Sequence, residues 1–576
     1  MIKINPSSLK RHYRNFGLLI IIMLLYISAA GSPPHPGLEA KIARGKLSIP
    51  YYMNNIKQLH SRGIGAGDRE LRVETDSTGI TRQPAPHFTG QFKALAILVD
   101  FTDHPHTVSA PFFDSLIFSK KGRTVTDYYH EISYGQLDII TVNLPSKTGW
   151  QTAPQTYSYY VDGRNGTGNY PRNTQKLVED LIDQVNWQVD FSLYDNNLDD
   201  TVDMFLVIHS GTGAEFTGNN NDIWSHKWNI TPRYVDGVYI RHYTIQPEFW
   251  ENPGDMTIGV YAHEMGHGFG LPDLYDTDYS SYGVGKWDLM SHGCWLGPAG
   301  MGSSPAHPGA WSRIQMGFAV PIDIETNRNS QAIANIEESN NIYRLGYGTG
   351  SNDEYFLVEN RQKIGYDSYL PGSGLLIWHI DRSQPDNSQE WWPGLVTDNH
   401  FLVALEQADG LYEMEHKTDR GDSGDPFPGV MNNTSFSILT NPGSQYYSDS
   451  ISPIMIDNIS TSASIMTADL IVGLSTGSDD IPLPVTMELA QNYPNPFNPS
   501  TTIDFYVSEP TPVTLEIFNL MGQKVRTLIN GQAARGNTSL IWKGFNDNGQ
   551  PVTSGVYFYK LSVKDSFLTR KMILIR

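Results

Sequence analysis

The sequence predicts a multidomain protein with an α/β (α+β) domain, a second, β-rich lobe and a C-terminal β-sandwich. The chain has 576 residues, too many for one ordinary domain, so roughly two to four units are expected. Continuous apolar runs of strand length alternate with amphipathic helical segments in the first half of the chain. Short alternating strands between glycine, asparagine and proline turns dominate the remainder. These observations together predict the order of the domains.

The composition is that of a globular protein with a strongly acidic surface. Hydrophobic residues make up 39% of the chain and charged residues 18%. The formal net charge is -20, from 41 Lys and Arg against 61 Asp and Glu. Nucleic acid and anionic lipid both require a positive surface, so neither is expected as the main partner. An acidic surface does suit the binding of divalent cations.

Residues 1–30 have the pattern of an export signal. Basic residues precede the apolar run Phe16 to Ile27, and small residues ending at Ala30 follow it. This run is shorter than the roughly 20 residues that a membrane-spanning helix needs, so no transmembrane anchor is expected in the mature chain. An uncleaved or lipid-anchored N-terminus is the alternative. The single cysteine, Cys294, allows no intramolecular disulfide, so packing or bound metal must stabilise the exported chain.

Residues 31–91 are expected to form a prosegment or a small structural module. They are polar, carry proline and glycine at their edges, and include one helix-like piece. The main domain, residues 92–318, begins with the apolar run Phe92–Phe101, which is typical of a strand buried on both faces. The further elements expected in these two regions are helices at 51–63, 124–133 and 174–185 and a strand at 202–211.

Residues 319–473 lose helical periodicity and predict a β-rich lobe of the same domain, with strands at 353–362 and 373–381. Residues 474–484 are polar and contain prolines, as linkers do. Residues 485–576 predict an immunoglobulin-like β-sandwich. This last unit contains no histidine, so it is not expected to carry metal catalysis.

The stretch YAHEMGHGFGLPDLYD contains the spacing of a zinc site. On a helix, His263 and His267 lie one turn apart on one face, so two imidazoles can bind one ion at about 2.0 to 2.1 Å. Glu264 is rotated by about 100° from His263, which places it beside the ion rather than on it. From there it can accept a proton from metal-bound water, and we therefore expect Glu264 to be the general base.

The third zinc ligand is expected from the glycine-rich segment that follows. Gly268 and Gly270 are poor helix formers, and Gly270 can adopt the left-handed conformation that turns the chain sharply. The turn would return Asp273 to the metal and leave the fourth position open for water, as in catalytic sites. Asp276 is the rival ligand, and one of these two aspartates is otherwise expected only to cap a turn or to remain solvated.

A methionine downstream fits the turn that lies beneath the ligands in metzincin zinc peptidases. Their long motif, H-E-x-x-H-x-x-G-x-x-H/D, is followed by a tight turn with a buried methionine. Met290, in the segment WDLMSHG, has the corresponding place. It is expected to be a hydrophobic base and not a ligand; an unrelated core methionine is the alternative. A metzincin-like catalytic domain follows from this pattern.

At this point the chain resembles the immune inhibitor A family of secreted bacterial metalloproteases. The resemblance covers about 380 residues and rests on the segments KALAILVDF, DIWSHKW, HEMGHGFGLPDLYD, WDLMSHG, DEYFLVENRQ, GSGLLIWHID and GDSGDPFPG. It implies a secreted zinc endopeptidase that cleaves extracellular proteins, in which zinc polarises the scissile carbonyl and Glu264 moves the proton. It also implies synthesis with a prosegment, although no cysteine is present there to block the zinc. The residue that stabilises the oxyanion is left open among Tyr279, Tyr282 and His292.

A second metal expectation concerns the segment DNNLDDTVD. Oxygen side chains alternate there as they do in calcium loops, which gives Asp195, Asn197, Asp199 and Asp203 as Ca²⁺ ligands. The segment departs from the EF-hand pattern because it has no turn glycine and no closing glutamate. An ordinary acidic turn is the alternative. The segment DRGDSGD, residues 419–425, is a weaker candidate of the same kind.

The C-terminal unit resembles the sorting domains of the type IX secretion system. The similarity rests on NYPNPFNPSTTIDF, IFNLMGQKVRTL, SGVYFYKL and the basic ending RKMILIR. It implies passage across the outer membrane through the secretion machinery, and a secreted or cell-surface location. An appended immunoglobulin-like adhesion module is the competing interpretation.

Two other functions remain open at this stage. One is a surface adhesion or binding protein with a vestigial protease fold, and the other is a zinc hydrolase acting on something other than peptides. His263, Glu264, His267 and Asp273 are all present, which favours the enzyme over the vestigial fold. Only the wider resemblance favours protein or peptide substrates over substrates with other hydrolysable bonds.

Overall fold

The computed structural model describes residues 31–64, 88–347, 353–393, 395, 399–447, 452–473, 487–507, 511–520, 522–533, 536–563 and 566–576. The predicted export signal, part of the predicted prosegment and the predicted linker therefore lie outside the described residues. The chain forms two compact units, of which the first ends at Leu474 and the second comprises Ser475–Arg576.

The central sheet of the first unit has five strands in the order β4-β2-β5-β7-β6. All neighbouring pairs in it are parallel except β6 and β7, which are antiparallel. A separate parallel pair joins β1 and β3. The bounds are β1 Gly90–Lys93, β2 Leu95–Asp100, β3 Leu137–Ile140, β4 Trp150–Thr152, β5 Phe205–Thr212, β6 His226–Val235 and β7 Val238–Phe249.

The apolar run Phe92–Phe101 does form buried strand, but it is divided between β1 and β2 at Ala94. The division arises because β1 pairs with β3, whereas β2 pairs with β4 and β5. Every residue of β2 is buried, as the unbroken apolar pattern predicts for a central parallel strand.

The helices lie on both sides of this sheet, and the predicted helix at 174–185 occurs with those bounds. Asn173 caps it, because its side chain accepts a hydrogen bond from Lys176 N. The predicted helical piece at 51–63 is instead two short helices interrupted at Asn55. The bounds are α1 Pro36–Ala43, α2 Tyr51–Asn54, α3 Ile56–Ser61, α4 Ala110–Phe118, α5 Val125–Ile132, α6 Pro145–Thr148, α7 Tyr157–Val161, α8 Thr174–Val185, α9 Ala214–Thr217, α10 Gly259–Gly268 and α11 Ala310–Gln315.

The predicted β-rich lobe follows within the same compact unit. Its first sheet has the order β13-β12-β11-β10-β8 and its second the order β14-β15-β9. One hydrophobic core continues from α10 into this lobe through Leu289, Leu357 and Trp378, so the two parts pack as one body. The bounds are β8 Ile322–Asp323, β9 Arg328–Ala334, β10 Tyr343–Leu345, β11 Glu354–Arg361, β12 Gly374–Asp381, β13 Val403–Leu405, β14 Ile454–Asp457 and β15 Ile465–Val472.

The second unit contains two antiparallel sheets, β16-β17-β20 and β19-β18-β21-β22, that share one core. Alternate residues of β18 and β21 are buried, as expected of sandwich strands with one solvated face. The bounds are β16 Met487–Leu489, β17 Thr501–Val507, β18 Thr511–Asn519, β19 Lys524–Ala533, β20 Gly536–Trp542, β21 Gly555–Val563 and β22 Ser566–Leu574. Over the described residues of both units, no helix has the length and apolar character needed to cross a bilayer.

Candidate metal centre and peptide cleft

The helix α10 and the turn after it bring three ligand-type side chains together. The Nε2 atoms of His263 and His267 are 3.2 Å apart. Asp273 Oδ1 lies 3.2 Å from the first nitrogen and 3.4 Å from the second. All three side chains are buried. We call His263, His267 and Asp273 the helix cluster.

The glycines that end α10 return the chain to the histidines. Leu271 N donates to Gly266 O (3.0 Å), which closes the helix end, and Gly270 has a φ of 89° in the left-handed region. This conformation is readily available to glycine and strained for other residues. The turn therefore delivers Asp273 to the face of α10 that carries both histidines.

Backbone carbonyls set the orientation of both imidazoles. His263 Nδ1 lies 3.0 Å from Leu289 O, and His267 Nδ1 lies 2.8 Å from Leu271 O. Because a carbonyl only accepts, each Nδ1 carries the hydrogen and each Nε2 lone pair points into the cluster. Asp273 Oδ1 has no hydrogen-bond partner among the described residues. Two lone pairs and an unpaired carboxylate oxygen fit a bound cation.

The pKa shift of His263 also shows that the helix cluster favours a positive charge. Burial opposes protonation of His263, yet the adjacent Asp273 carboxylate raises the pKa of His263 to about 9. Burial lowers the pKa of His267. The buried Asp273 carboxylate thus favours a cation beside the two histidines, which a bound metal ion can supply. Two histidines and one carboxylate form a donor set that suits zinc.

Glu264 lies on the same buried helix but outside the helix cluster. Burial raises the pKa of Glu264 to about 8, although His263 lowers it in part. Its two carboxylate oxygens accept no hydrogen bond from a described residue by the usual geometric limits. The side chain is thus available to exchange a proton with a water molecule or a substrate.

Met290 packs directly against α10 between the two histidines. A Cβ atom added to Gly266 would lie 2.5 Å from Met290 Sδ, so the thioether fills the space that this glycine leaves. Met290 O accepts a hydrogen bond from Leu274 N (2.8 Å), and the side chain is buried. Its position beneath the ligands corresponds to the predicted hydrophobic base.

Asp276, the rival third ligand, has its oxygens engaged elsewhere. Oδ2 accepts hydrogen bonds from Ser281 N (2.7 Å) and Ser280 Oγ (2.8 Å), and Oδ1 accepts one from Asp278 N (2.9 Å). It therefore caps the turn after Asp273, which is the alternative role that the sequence left open for one of the two aspartates.

The expected calcium residues lie in one turn, but their oxygens bind the turn's own backbone. Asp195 accepts hydrogen bonds from the N–H groups of Asp199 and Asp200 (3.1 and 3.0 Å), and Asp203 accepts one from Asn196 N (2.5 Å). Asn197 likewise accepts one from Asp199 N (3.1 Å), and Asp199 accepts one from Thr201 N (3.0 Å). This geometry is that of an acidic turn, the alternative that the sequence left open.

A second group of acidic residues converges, and two of its three members belong to residues 419–425, the segment predicted as the weaker calcium candidate. Asp409, Asp422 and Asp425 each bring one oxygen within 4.8 Å of the others, and we call them the loop cluster. Only Asp425 is buried, and its Oδ2 accepts hydrogen bonds from Trp287 Nε1 and Asp422 N (both 2.9 Å). These carboxylates are already bonded to protein donors.

Residues 31–36 of the N-terminal region run through the cleft beside the helix cluster. Gly31 N donates to Asp273 Oδ2 (3.1 Å), and Tyr275 OH donates to Gly31 O (2.7 Å). Gly31 also forms an antiparallel bridge with His226, the first residue of β6. β6 is an edge strand of the central sheet, and such an edge can pair with an extended peptide. The cleft thus holds a segment of the protein's own chain, which touches the edge of β6 through one bridge at Gly31.

Most contacts to this segment are made with its backbone. Ser32 N donates to Ser225 O (3.3 Å), and Trp224 Nε1 donates to Ser32 O (3.0 Å). Trp295 Nε1 donates to Pro33 O (3.0 Å). Backbone recognition of this kind tolerates many side chains, which suits a cleft that binds varied peptides.

Tyr52 of α2 closes the cleft over the segment. Its ring stacks on Trp224 with a centroid distance of 4.7 Å, and its hydroxyl would collide with any Cβ placed on Gly31. Sequence reasoning assigned no role to Tyr52, to Trp224 or to Tyr275. Trp224 and His226 belong to the segment DIWSHKW, whose family resemblance is the signal that the sequence offers for the cleft edge.

Two parts of the chain match family profiles. Residues 89–319 match the profile described as immune inhibitor A peptidase M6, catalytic domain. Residues 497–566 match the profile of the FlgD Ig-like domain, which agrees with the sandwich of the second unit. The first match contains the whole helix cluster, Glu264 and Met290.

Curated relatives match the same region. The pre-pro-metalloprotease PrtV of Vibrio cholerae serotype O1 is 28% identical over 301 residues, which covers 41% of this chain and 32% of PrtV. Immune inhibitor A of Bacillus thuringiensis subsp. alesti is 28% identical over 261 residues, covering 36% of each chain. The chain thus spans about a third of the length of these relatives.

Solved structures match only weakly. Dimeric latent PorU from Porphyromonas gingivalis is 18% identical, with a TM-score of 0.16 and coverage of 21% of this chain and 12% of PorU. FlgD from P. aeruginosa is 22% identical, with a TM-score of 0.11 and coverage of 13% and 60%. These TM-scores carry no argument. The sequence matches alone lead to the conclusion that the chain carries a catalytic domain of the peptidase M6 (immune inhibitor A) type at residues 89–319.

Proposed function

We propose that this protein is a secreted zinc endopeptidase whose N-terminal segment keeps it latent. One observation carries the proposal: three buried ligand atoms with no other fitting partner lie at the end of a cleft that already binds a peptide strand. The peptidase M6 match and the metalloprotease names of the relatives support the same activity.

His263, His267 and Asp273 would hold the metal. A zinc ion bound there supplies a Lewis acid for the scissile carbonyl and lowers the pKa of a water molecule. Glu264 accepts a proton from the attacking water and donates it to the leaving amine. Leu289 O and Leu271 O hold the two imidazoles in the tautomer that this arrangement needs.

The peptide substrate would pair with the edge of β6 in place of residues 31–36. Ser225 O and Trp224 Nε1 would then bind its backbone as they bind Ser32. In the described state Gly31 N occupies Asp273 Oδ2, so the segment must leave before a substrate can reach the metal. Residues 31–91 would therefore act as an inhibitory prosegment that needs no cysteine.

Cleavage of casein or gelatin by the purified chain, before and after limited proteolysis of residues 31–91, tests the proposal. We expect activity only after removal of the segment, and its loss on treatment with a chelator and in Glu264→Ala. Equal activity of the Glu264→Ala variant and the parent protein would contradict the mechanism.

The remaining expectations rest on sequence alone. Export, the metzincin-like assignment and a sorting role for residues 485–576 remain predictions, and so does Ca²⁺ at residues 195–203. Secretion of a reporter fused to residues 485–576, in a host with and without a working type IX system, would test the sorting role.

A further inference from the structure

We propose that Arg420 and His292 form a binding pocket for an acidic side chain of the peptide substrate. In the described state Glu39 of the N-terminal segment fills this pocket. The inference rests on the proposed peptidase function and adds a substrate class to it. Neither the family match nor the relatives' names assign such a pocket.

The Glu39 carboxylate is held between the Arg420 guanidinium and the His292 imidazole. Arg420 Nη2 contacts Glu39 Oε2, and His292 Nε2 lies 3.7 Å from the same oxygen. The side chains of Glu39, Arg420 and His292 are only 12%, 18% and 3% exposed, so the carboxylate is enclosed by the protein. A carboxylate that has been removed from water needs charged partners of this kind.

The pocket selects the ionised form of its occupant. Burial disfavours the charged carboxylate, but His292 and Arg420 outweigh burial and lower the pKa of Glu39 to about 2. Arg420 also lies over the Tyr282 ring, 4.2 Å from its centroid, and Lys417 Nζ lies 5.9 Å from that centroid. These three positive or protonatable groups stand out in a chain with a formal net charge of -20.

The walls of the pocket do not depend on the N-terminal segment. Arg420 O accepts a hydrogen bond from Lys286 N (2.8 Å), and Tyr282 N donates to Met414 O (3.0 Å). The nearest acidic neighbour along the chain, Asp419, lies 3.6 Å from Lys286 Nζ, which offsets its charge. The pocket would therefore persist, with its positive charge uncompensated, once Glu39 leaves.

Some buried nitrogen atoms of the pocket form no hydrogen bond to a described residue even with Glu39 present. Both ring nitrogens of His292 and Nε of Arg420 are buried and have no hydrogen-bond partner among the described residues. Buried donors of this kind are costly unless they are satisfied. A substrate carboxylate placed more centrally than Glu39 could bind both Arg420 and His292.

The pocket adjoins the peptide cleft. The His292 ring lies 6.4 Å, centroid to centroid, from the Tyr275 ring, whose hydroxyl binds Gly31 O. Gly31 in turn binds Asp273 of the helix cluster. One aromatic ring thus separates the pocket from the peptide backbone beside the metal ligands, within reach of a substrate side chain.

Matched peptides test the pocket by binding, independently of catalysis. The chain carrying Glu264→Ala, freed of its N-terminal segment by the same limited proteolysis of residues 31–91, is loaded with zinc and titrated with neutral fluorescent peptides. A single Glu is moved through every position of the peptide, and each version is compared with Gln at that position. We expect Glu to bind about 10-fold tighter than Gln at one position. Arg420→Gln should bring this ratio close to 1, Arg420→Lys should retain part of it, and the control Arg526→Gln in the second unit should leave it unchanged.

Equal binding of the Glu and Gln peptides at every position would overturn the pocket, as would a ratio that survives Arg420→Gln. The same peptides are then offered to the proteolysed chain with Glu264 intact. Selective binding without cleavage would contradict the endopeptidase while the pocket stands. Cleavage without Arg420-dependent selectivity would contradict only the pocket.

Discussion

The helix cluster and the loop cluster contain similar ligand types, but they differ in what else those atoms bind. In the helix cluster, Asp273 Oδ1 accepts no hydrogen bond from a described donor. The Nε2 atom of each imidazole carries a free lone pair, because Nδ1 donates to a carbonyl. In the loop cluster, Asp425 Oδ2 accepts two hydrogen bonds, and Asp409 and Asp422 are not buried. Proximity of acidic groups is therefore a weaker sign of a metal than the absence of any alternative partner.

The largest effect is expected from Glu264→Ala, which removes the proton carrier beside the helix cluster but no ligand of it. Peptide hydrolysis should fall by about 1,000-fold or more, because no other described carboxylate on α10 can take the proton. Casein cleavage by the activated chain measures this, with zinc content as the control. Loss of zinc together with activity would show that Glu264 has a ligand role instead.

Asp273→Ala tests whether zinc binds to the helix cluster and not to the loop cluster. It removes one of three ligands, so we expect zinc affinity to fall by at least about 100-fold. Zinc per chain after dialysis against a metal buffer is the measurement. Asp425→Asn in the loop cluster is the matched control and should leave the zinc content unchanged. Equal zinc content in the Asp273→Ala chain and the parent would remove Asp273 from the site.

Met290→Ala tests the support of the helix cluster. The substitution leaves a cavity beneath Gly266, and we expect the free energy of unfolding to fall by about 2 to 4 kcal/mol. Urea denaturation of the metal-free chain measures it, and Met290→Leu, which conserves volume, should lose much less. A stability equal to that of the parent would mean that Met290 does not pack as described.

The smallest effect is a pH dependence from the loop cluster. Burial raises the pKa of Asp425 from 3.8 to about 7, so the folded chain holds a proton that the unfolded chain releases. Its contribution is fully present below about pH 4 and is lost as the pH rises through 7. Over this pH window the free energy of unfolding of the parent should fall by on the order of 2 kcal/mol relative to that of Asp425→Asn. The midpoint of the first urea unfolding transition, followed as a function of pH, measures this difference. If the stability of the two proteins varied with pH in the same way, the raised pKa of Asp425 would be contradicted.

Much of the fold could be predicted because its strongest elements are locally encoded. The periodic segment at 174–185 forms the predicted helix, and the apolar run from Phe92 forms buried strand. The break at Ala94 could not be predicted, since it depends on which strands β1 and β2 pair with. The division of 51–63 into two helices was missed for a similar reason, because α2 is held by Asn165 from a distant loop.

The sequence by itself determined the local part of the site. Spacing alone places His263 and His267 on one helix face, and glycine chemistry alone ends that helix before Asp273. Only the tertiary structure distinguishes Asp273, which lies beside both histidines, from Asp276, whose Oδ2 is bound by Ser280 and Ser281. The peptide strand at Gly31 and the contact of Glu39 with Arg420 join residues hundreds of positions apart. Such contacts leave no periodic signal in a sequence, because they are set by how distant segments pack.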